Sequence, residues 1–157
     1  MQENSYHKRI KAFLDNTQAK YNHIIYTNKC HTVLEASKSA GEDIENFVKN
    51  ICLLDEQKNL IVAILLAKNR ANLKKISAIV NAKKLNMVPF TEVERYTSYP
   101  AGGVPSFGFD AKFLVDKDVL NRSFIITGGG DEYSLIKIAT KEIVKLNSAT
   151  VCEIKEV

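Results

Sequence analysis

The sequence predicts a single α+β domain, a mixed and mostly antiparallel sheet with helices packed on it. Three observations predict it. Apolar residues recur at helical spacing near both ends and in the middle of the chain. Two apolar runs of strand length, Phe47 to Leu54 and Leu60 to Ala67, are joined by the polar turn Glu56, Gln57, Lys58, Asn59 and read as a hairpin. Helices and strands then interleave, yet the adjacent strand pairs require antiparallel neighbours, which disfavours a purely parallel doubly wound sheet. The 157 residues suffice for one domain with a buried core, and two would be cramped.

The elements run in order from the N-terminus. Tyr6, Ile10, Phe13 and Leu14 share a helical face, and Ile24 to Tyr26 is a short strand candidate. Thr32 and Glu35 form a capping box that opens a second helix, and Gly41 is placed to stop it. After the hairpin, Leu73, Ile76, Ile79 and Val80 mark a helix, and Thr91 with Glu94 forms a second capping-box pattern before a short one. Lys112 to Val115, Phe124 to Thr127 and Leu135 to Ile138 are strand candidates. Thr140 is placed to cap a helix through Ile143, Val144 and Leu146, and Thr150 to Ile154 reads as a last strand.

Composition excludes more than it selects. Lys and Arg number 22 against 18 Asp and Glu, so the net charge of +4 permits binding to a polyanion without requiring it. Cys30, Cys52 and Cys152 are odd in number and lack a C-x-x-C pair, which points to a reducing cytoplasm and away from a disulfide framework. His7, His23 and His31 are dispersed, so no metal site is expected. Met1 to Arg9 is polar rather than a leader, and Leu60 to Ala67 is too short to span a bilayer. Export and membrane insertion are not expected.

Function is written most densely in Ala101, Gly102, Gly103, Val104, Pro105, Ser106, Phe107, Gly108 and Phe109. Adjacent glycines leave bare N–H groups beside open space and Pro105 stiffens the second half of the segment, so the loop suits a small charged ligand; an ordinary turn has the same composition. Lys49 is the second signal. Strand alternation puts it on the face of Phe47, Ile51 and Leu53, where its ammonium needs an anion, a wet cleft or a snorkelling route to solvent. Ser106 lacks the G-x-S-x-G context of a nucleophile and reads as loop-shaping. Gly128, Gly129 and Gly130 come after a strand but match no nucleotide-binding fingerprint.

Together these pieces resemble the YbaK and prolyl-tRNA synthetase-associated domain family, editing domains that hydrolyse misacylated tRNA. The resemblance is carried by Val48-Lys49-Asn50, Leu73-Lys74-Lys75-Ile76, Gly102-Gly103-Val104-Pro105-Ser106-Phe107-Gly108 and Thr127-Gly128-Gly129-Gly130, in the family's order, over residues 32 to 157. It implies a cleft for the aminoacylated 3′ end of tRNA and three catalytic residues: Lys49, which lines the cleft and pairs with a terminal phosphate or steadies the ester, and Gly102 and Gly103 as loop donors. Asn50, Val104, Thr127, Gly128 and Gly129 are implied as substrate-binding, with Tyr26 on the early strand. The implied partners are tRNA and prolyl-tRNA synthetase; no cofactor is implied.

An aminoacyl ester is an activated acyl group, so its hydrolysis needs a placed water and a stabilised oxyanion more than a protein nucleophile. The resemblance also implies help from a tRNA hydroxyl. Many family members have Pro where Ser106 stands, and no His-Pro element of the alanine-specific subgroup appears near the second loop. The resemblance thus favours a free-standing deacylase for a small amino acid such as cysteine or alanine on tRNA for proline. A non-catalytic tRNA-binding module and a hydrolase of another small ester are the alternatives. Lys68, Arg70, Lys74, Lys75, Lys83 and Lys84 form either an acceptor-stem patch or a solvated helix face, and Tyr96 and Tyr99 either stack on a base or pack inside.

Overall fold

A computed structural model describes residues 5–27, 30 and 32–157. In chain order the elements are α1 (Ser5–Thr17), β1 (Tyr21–Ile25), α2 (Val33–Ala40), β2 (Val48–Leu54), β3 (Leu60–Leu66), α3 (Leu73–Val80), β4 (Asn86–Met87), α4 (Val93–Thr97), β5 (Lys112–Asp116), β6 (Phe124–Gly128), β7 (Ser134–Ala139), α5 (Thr140–Asn147) and β8 (Thr150–Cys152). Short 3-10 turns at Ile44–Asn46, Phe90–Glu92 and Lys117–Asn121 lead into β2, α4 and β6. The expected α+β class holds.

The strands divide between two sheets where one was expected. One is antiparallel, β1-β7-β6; the other is mixed, β4-β2-β3-β5-β8, with β3, β5 and β8 parallel. The parallel pairs arise because the chain crosses over between them, through α3 after β3 and through β6, β7 and α5 after β5. A parallel bridge between Phe47 and Ile126 fastens the start of β2 to β6 and closes the two sheets against each other. That seam positions the site.

Alternation along β2 and β3 sorts the core. Val48, Cys52, Leu54, Val62 and Ile64 point between the sheets with α1 and α5, whereas Leu53, Ile61, Ala63 and Leu65 pack beneath Ile76 of α3 and Ile154. Asp116, fully buried at the end of β5, is satisfied by the N–H groups of Asp118, Ile154 and Lys155 and so ties down the C-terminal segment.

Local signals acted unevenly. Thr32 caps α2 by accepting the Glu35 N–H at 3.1 Å, and Gly41 ends it in the left-handed region at φ 67°. Thr91 caps nothing: it lies inside the 3-10 turn, and α4 starts after Glu92 without a side-chain cap. Thr140 is the first residue of α5, not its cap, because Ala139 takes the cap position at the end of β7. Of the α3 stripe only Ile76 is fully buried; Leu73 and Ile79 reach solvent.

Candidate functional site

The seam between the sheets opens into a cleft of about 290 Å³. Its floor is apolar, made by Val33, Ala36, Phe47, Ile126 and Leu135. Its walls carry Lys49 and Asn50 of β2, Ala101, Gly102 and Val104 of the glycine loop, Thr127 and Gly128 of β6, and Tyr26, Cys30 and Thr32 before α2. Tyr26, Lys49, Asn50, Gly102, Val104, Thr127 and Gly128 therefore converge from four separate segments. His31 lies outside the described residues.

Gly103 and Gly129 do not line the cleft. The Gly103 N–H closes a turn onto the Pro100 carbonyl at 2.9 Å, so it has no donor left for a ligand. Its neighbours explain why it is glycine: a Cβ there would meet the backbone of Asp131 at 2.2 Å. Gly129 is likewise enclosed, its N–H on Ser134 O at 3.1 Å and its carbonyl 3.0 Å from His23 Nε2. Both glycines bring backbones together instead of meeting the cleft.

Gly102 differs from its neighbour. It is exposed at the rim, and its N–H and that of Val104 have no acceptor among the described residues. The second glycine stretch buttresses this loop. Gly130 N–H donates to Gly103 O at 2.9 Å, and Gly128 approaches Val104 O so closely that a Cβ would lie 2.3 Å from it. Asp131 in turn accepts the Tyr133 N–H at 2.9 Å and stands 2.9 Å from His7 Nε2, anchoring the buttress to α1. The role of α1 carried no signal in the sequence, because a histidine and an aspartate 124 positions apart announce no pairing.

Ser106 is fully buried and holds the loop by its side chain. Its hydroxyl donates to Asn50 Oδ1 at 2.7 Å and lies 2.8 Å from Thr127 Oγ1. Asn50 Nδ2 donates to Val104 O at 2.9 Å and to Thr127 Oγ1 at 3.1 Å. The three side chains join β2, β6 and the glycine loop, so this serine ties the loop to both strands. Ser106→Ala leaves Asn50 Oδ1 without its donor and is expected to cost about 2 kcal/mol, a fall of roughly 5 °C in Tm. An unchanged Tm in thermal unfolding would refute the linkage.

Lys49 is half-buried, and no carboxylate or carbonyl among the described residues receives its ammonium. Burial, and then the nearby Arg70 guanidinium, push its pKa below the ordinary lysine value. Arg70 is exposed and its side chain also has no acidic partner among the described residues. Two uncompensated cations together are suited to a phosphate. Two other members of the basic group are engaged elsewhere: Lys68 pairs with Glu45 at 2.7 Å, and Lys75 bonds Lys155 O at 3.2 Å. The Tyr26 hydroxyl is pushed well above its ordinary pKa, chiefly by burial, and stays protonated. Tyr99 is fully buried against Tyr6 and Phe109, and Tyr96 packs on the same core.

Solved structures share this architecture. One described as a candidate trans-editing enzyme for prolyl tRNA synthetase superposes with a TM-score of 0.88 at 24% identity, covering 99% of this chain and 100% of that one. A hypothetical protein superposes at 0.86 with 23% identity over 94% of this chain and 99% of its own. A scaffold protein used for epitope backbone grafting does so at 0.87 with 24% identity, over 99% and 100%. The family model of the aminoacyl-tRNA editing domain matches residues 27–146, a span that takes in nearly all of the cleft. This chain belongs to the aminoacyl-tRNA editing domain family.

Proposed function

We propose that the protein is a free-standing aminoacyl-tRNA deacylase that hydrolyses the ester of a mischarged tRNA in trans. The observation that carries this reading is that exposed Gly102, whose N–H has no acceptor among the described residues, lines the same cleft as Lys49, whose ammonium has no acidic partner among them. Water attacks the ester carbonyl, and the N–H groups of Gly102 and Val104 receive the developing oxyanion. One such donor is typically worth about 3 kcal/mol of transition-state stabilisation. No carboxylate or imidazole lines the cleft among the described residues. The proton of the attacking water therefore travels through solvent, or is relayed by a hydroxyl of the substrate, to the ribose oxygen, which leaves as a hydroxyl when its bond to the acyl carbon breaks. Lys49, with Arg70, binds the phosphate beside the terminal nucleotide.

The amino-acid subsite is the apolar floor of Val33, Ala36, Phe47, Ile126 and Leu135. A floor of this size and chemistry favours a small side chain such as that of alanine or cysteine. The tRNA is that for proline, a choice supported by the likeness to the candidate trans-editing enzyme for prolyl tRNA synthetase. Gly103 and Gly129 act through the loops they hold together, not by touching substrate. Incubation with a panel of labelled aminoacyl-tRNAs tests the proposal: alanyl- or cysteinyl-tRNA for proline is expected to lose its label fastest. Tight tRNA binding without release of any amino acid would instead favour a binding module.

A further inference from the structure

Beside the main cleft lies a second one of about 270 Å³ with a different character. It shares Asn50, Ala101 and Val104 with the first, so the two adjoin at the glycine loop. Its far side is formed by Ile51, Met87, Phe90 and Val93. Phe90, at the head of the 3-10 turn before α4, is 75% exposed, and Met87 is 60% exposed.

The adjoining sheet edge is open as well. β4 is only two residues long and pairs with β2 at Leu53 and Leu54; the last bond on that side runs from Val88 N–H to Cys52 O at 2.9 Å. Alternation puts the backbone N–H and C=O of Asn50 on the same edge, one step past the end of the pairing. Among the described residues that carbonyl meets only the Cys52 thiol, at 3.9 Å. An exposed aromatic face thus stands beside a backbone N–H with no acceptor among the described residues and a carbonyl met only by a thiol, next to a cleft whose wall carries Lys49 near Arg70.

We propose that this second cleft is a nucleobase subsite: an unstacked base of the single-stranded tRNA 3′ end, the one preceding the terminal nucleotide, lies on Phe90 with its edge toward Asn50. The inference rests on the proposed reading of the main cleft, which sets the terminal nucleotide at Gly102 and Lys49. Single-stranded RNA is recognised by stacking each base on an aromatic ring while cations track the phosphates, and both parts are present here in two adjoining clefts. Met87 and Ile51 supply the apolar surround. A protein segment in the second cleft would gain nothing from the cations of the neighbouring wall.

The test uses binding, which does not depend on turnover. The probes are a CCA trinucleotide and the same trinucleotide lacking its middle base, titrated into wild type, Phe90→Ala and Phe90→Trp. Phe90→Ala is expected to weaken the complete trinucleotide about tenfold, Phe90→Trp to restore it, and the abasic probe to bind wild type and Phe90→Ala alike. Equal binding of the complete trinucleotide by wild type and Phe90→Ala would overturn the subsite and point to a protein partner, as would an equal loss with the abasic probe. If wild type also deacylates tRNA in that case, the deacylase reading stands without it. Phe90-dependent binding with no turnover of any aminoacyl-tRNA would uphold the subsite and sink the deacylase.

Discussion

Gly103→Ala is expected to destabilise the protein by more than about 4 kcal/mol, the range of severe backbone clashes, and to lower Tm by roughly 10 °C or more. The new methyl group would lie 2.2 Å from both Cα and N of Asp131 and 2.5 Å from the carbonyl carbon of Gly130. All three are backbone atoms and none can rotate away. The loop cannot retreat either, because Gly103 O accepts the Gly130 N–H and Gly103 N–H is bound to Pro100. Gly102→Ala is the matched control: its Cβ meets first the Glu132 side chain, at 2.5 Å, which has torsions to spare. Thermal unfolding of the two variants should separate them clearly, and a Gly103→Ala protein melting with the wild type would show that the loops are not locked.

That contrast shows what a sequence can and cannot say about such a loop. Gly102 and Gly103 are indistinguishable as letters, and both read as ligand donors. The difference between them is made by the 129–131 turn, which is remote in the chain and visible only once the loops meet. Lys49 is legible, because strand alternation alone sets it on an apolar face. Thr32 and Gly41 are legible for the same reason, since a cap is decided within four residues. Thr91 and Thr140 carry similar local patterns, but the 3-10 turn and the end of β7 claim their positions first.

The two sheets are hidden for a further reason. The strands of the β2–β3 hairpin and the β6–β7 pair can be read nearly to their ends, yet pairing between distant strands is not encoded in their periodicity. The two-residue β4 has no periodicity at all. Ser106 falls between the two cases: its burial among Asn50 and Thr127 is a product of the seam, while the proline that the family resemblance leads one to expect in its place is a matter of sequence. A hydroxyl that bonds two strands does by hydrogen bonding what a ring does by restricting φ.

Lys49→Met is expected to lower kcat/KM for the mischarged tRNA by about 30- to 100-fold, the equivalent of one lost charge-assisted contact of about 2 to 3 kcal/mol. The methionine fills the same space, so Tm should move little. Because a phosphate carries its charge before and during ester cleavage, the contact is made equally in both states, and the loss should appear in KM with kcat largely kept. The salt dependence of binding should flatten by about one phosphate contact. The pH profile supplies an independent check. Burial and Arg70 lower the Lys49 pKa, so its charge is complete below that value and is lost, as pH rises, earlier than an ordinary lysine would lose it. Wild-type KM should therefore climb on the alkaline side at a pH where other lysines remain charged, and Lys49→Met should show no such climb. A fall in kcat with KM unchanged would move Lys49 from the phosphate to the reacting ester.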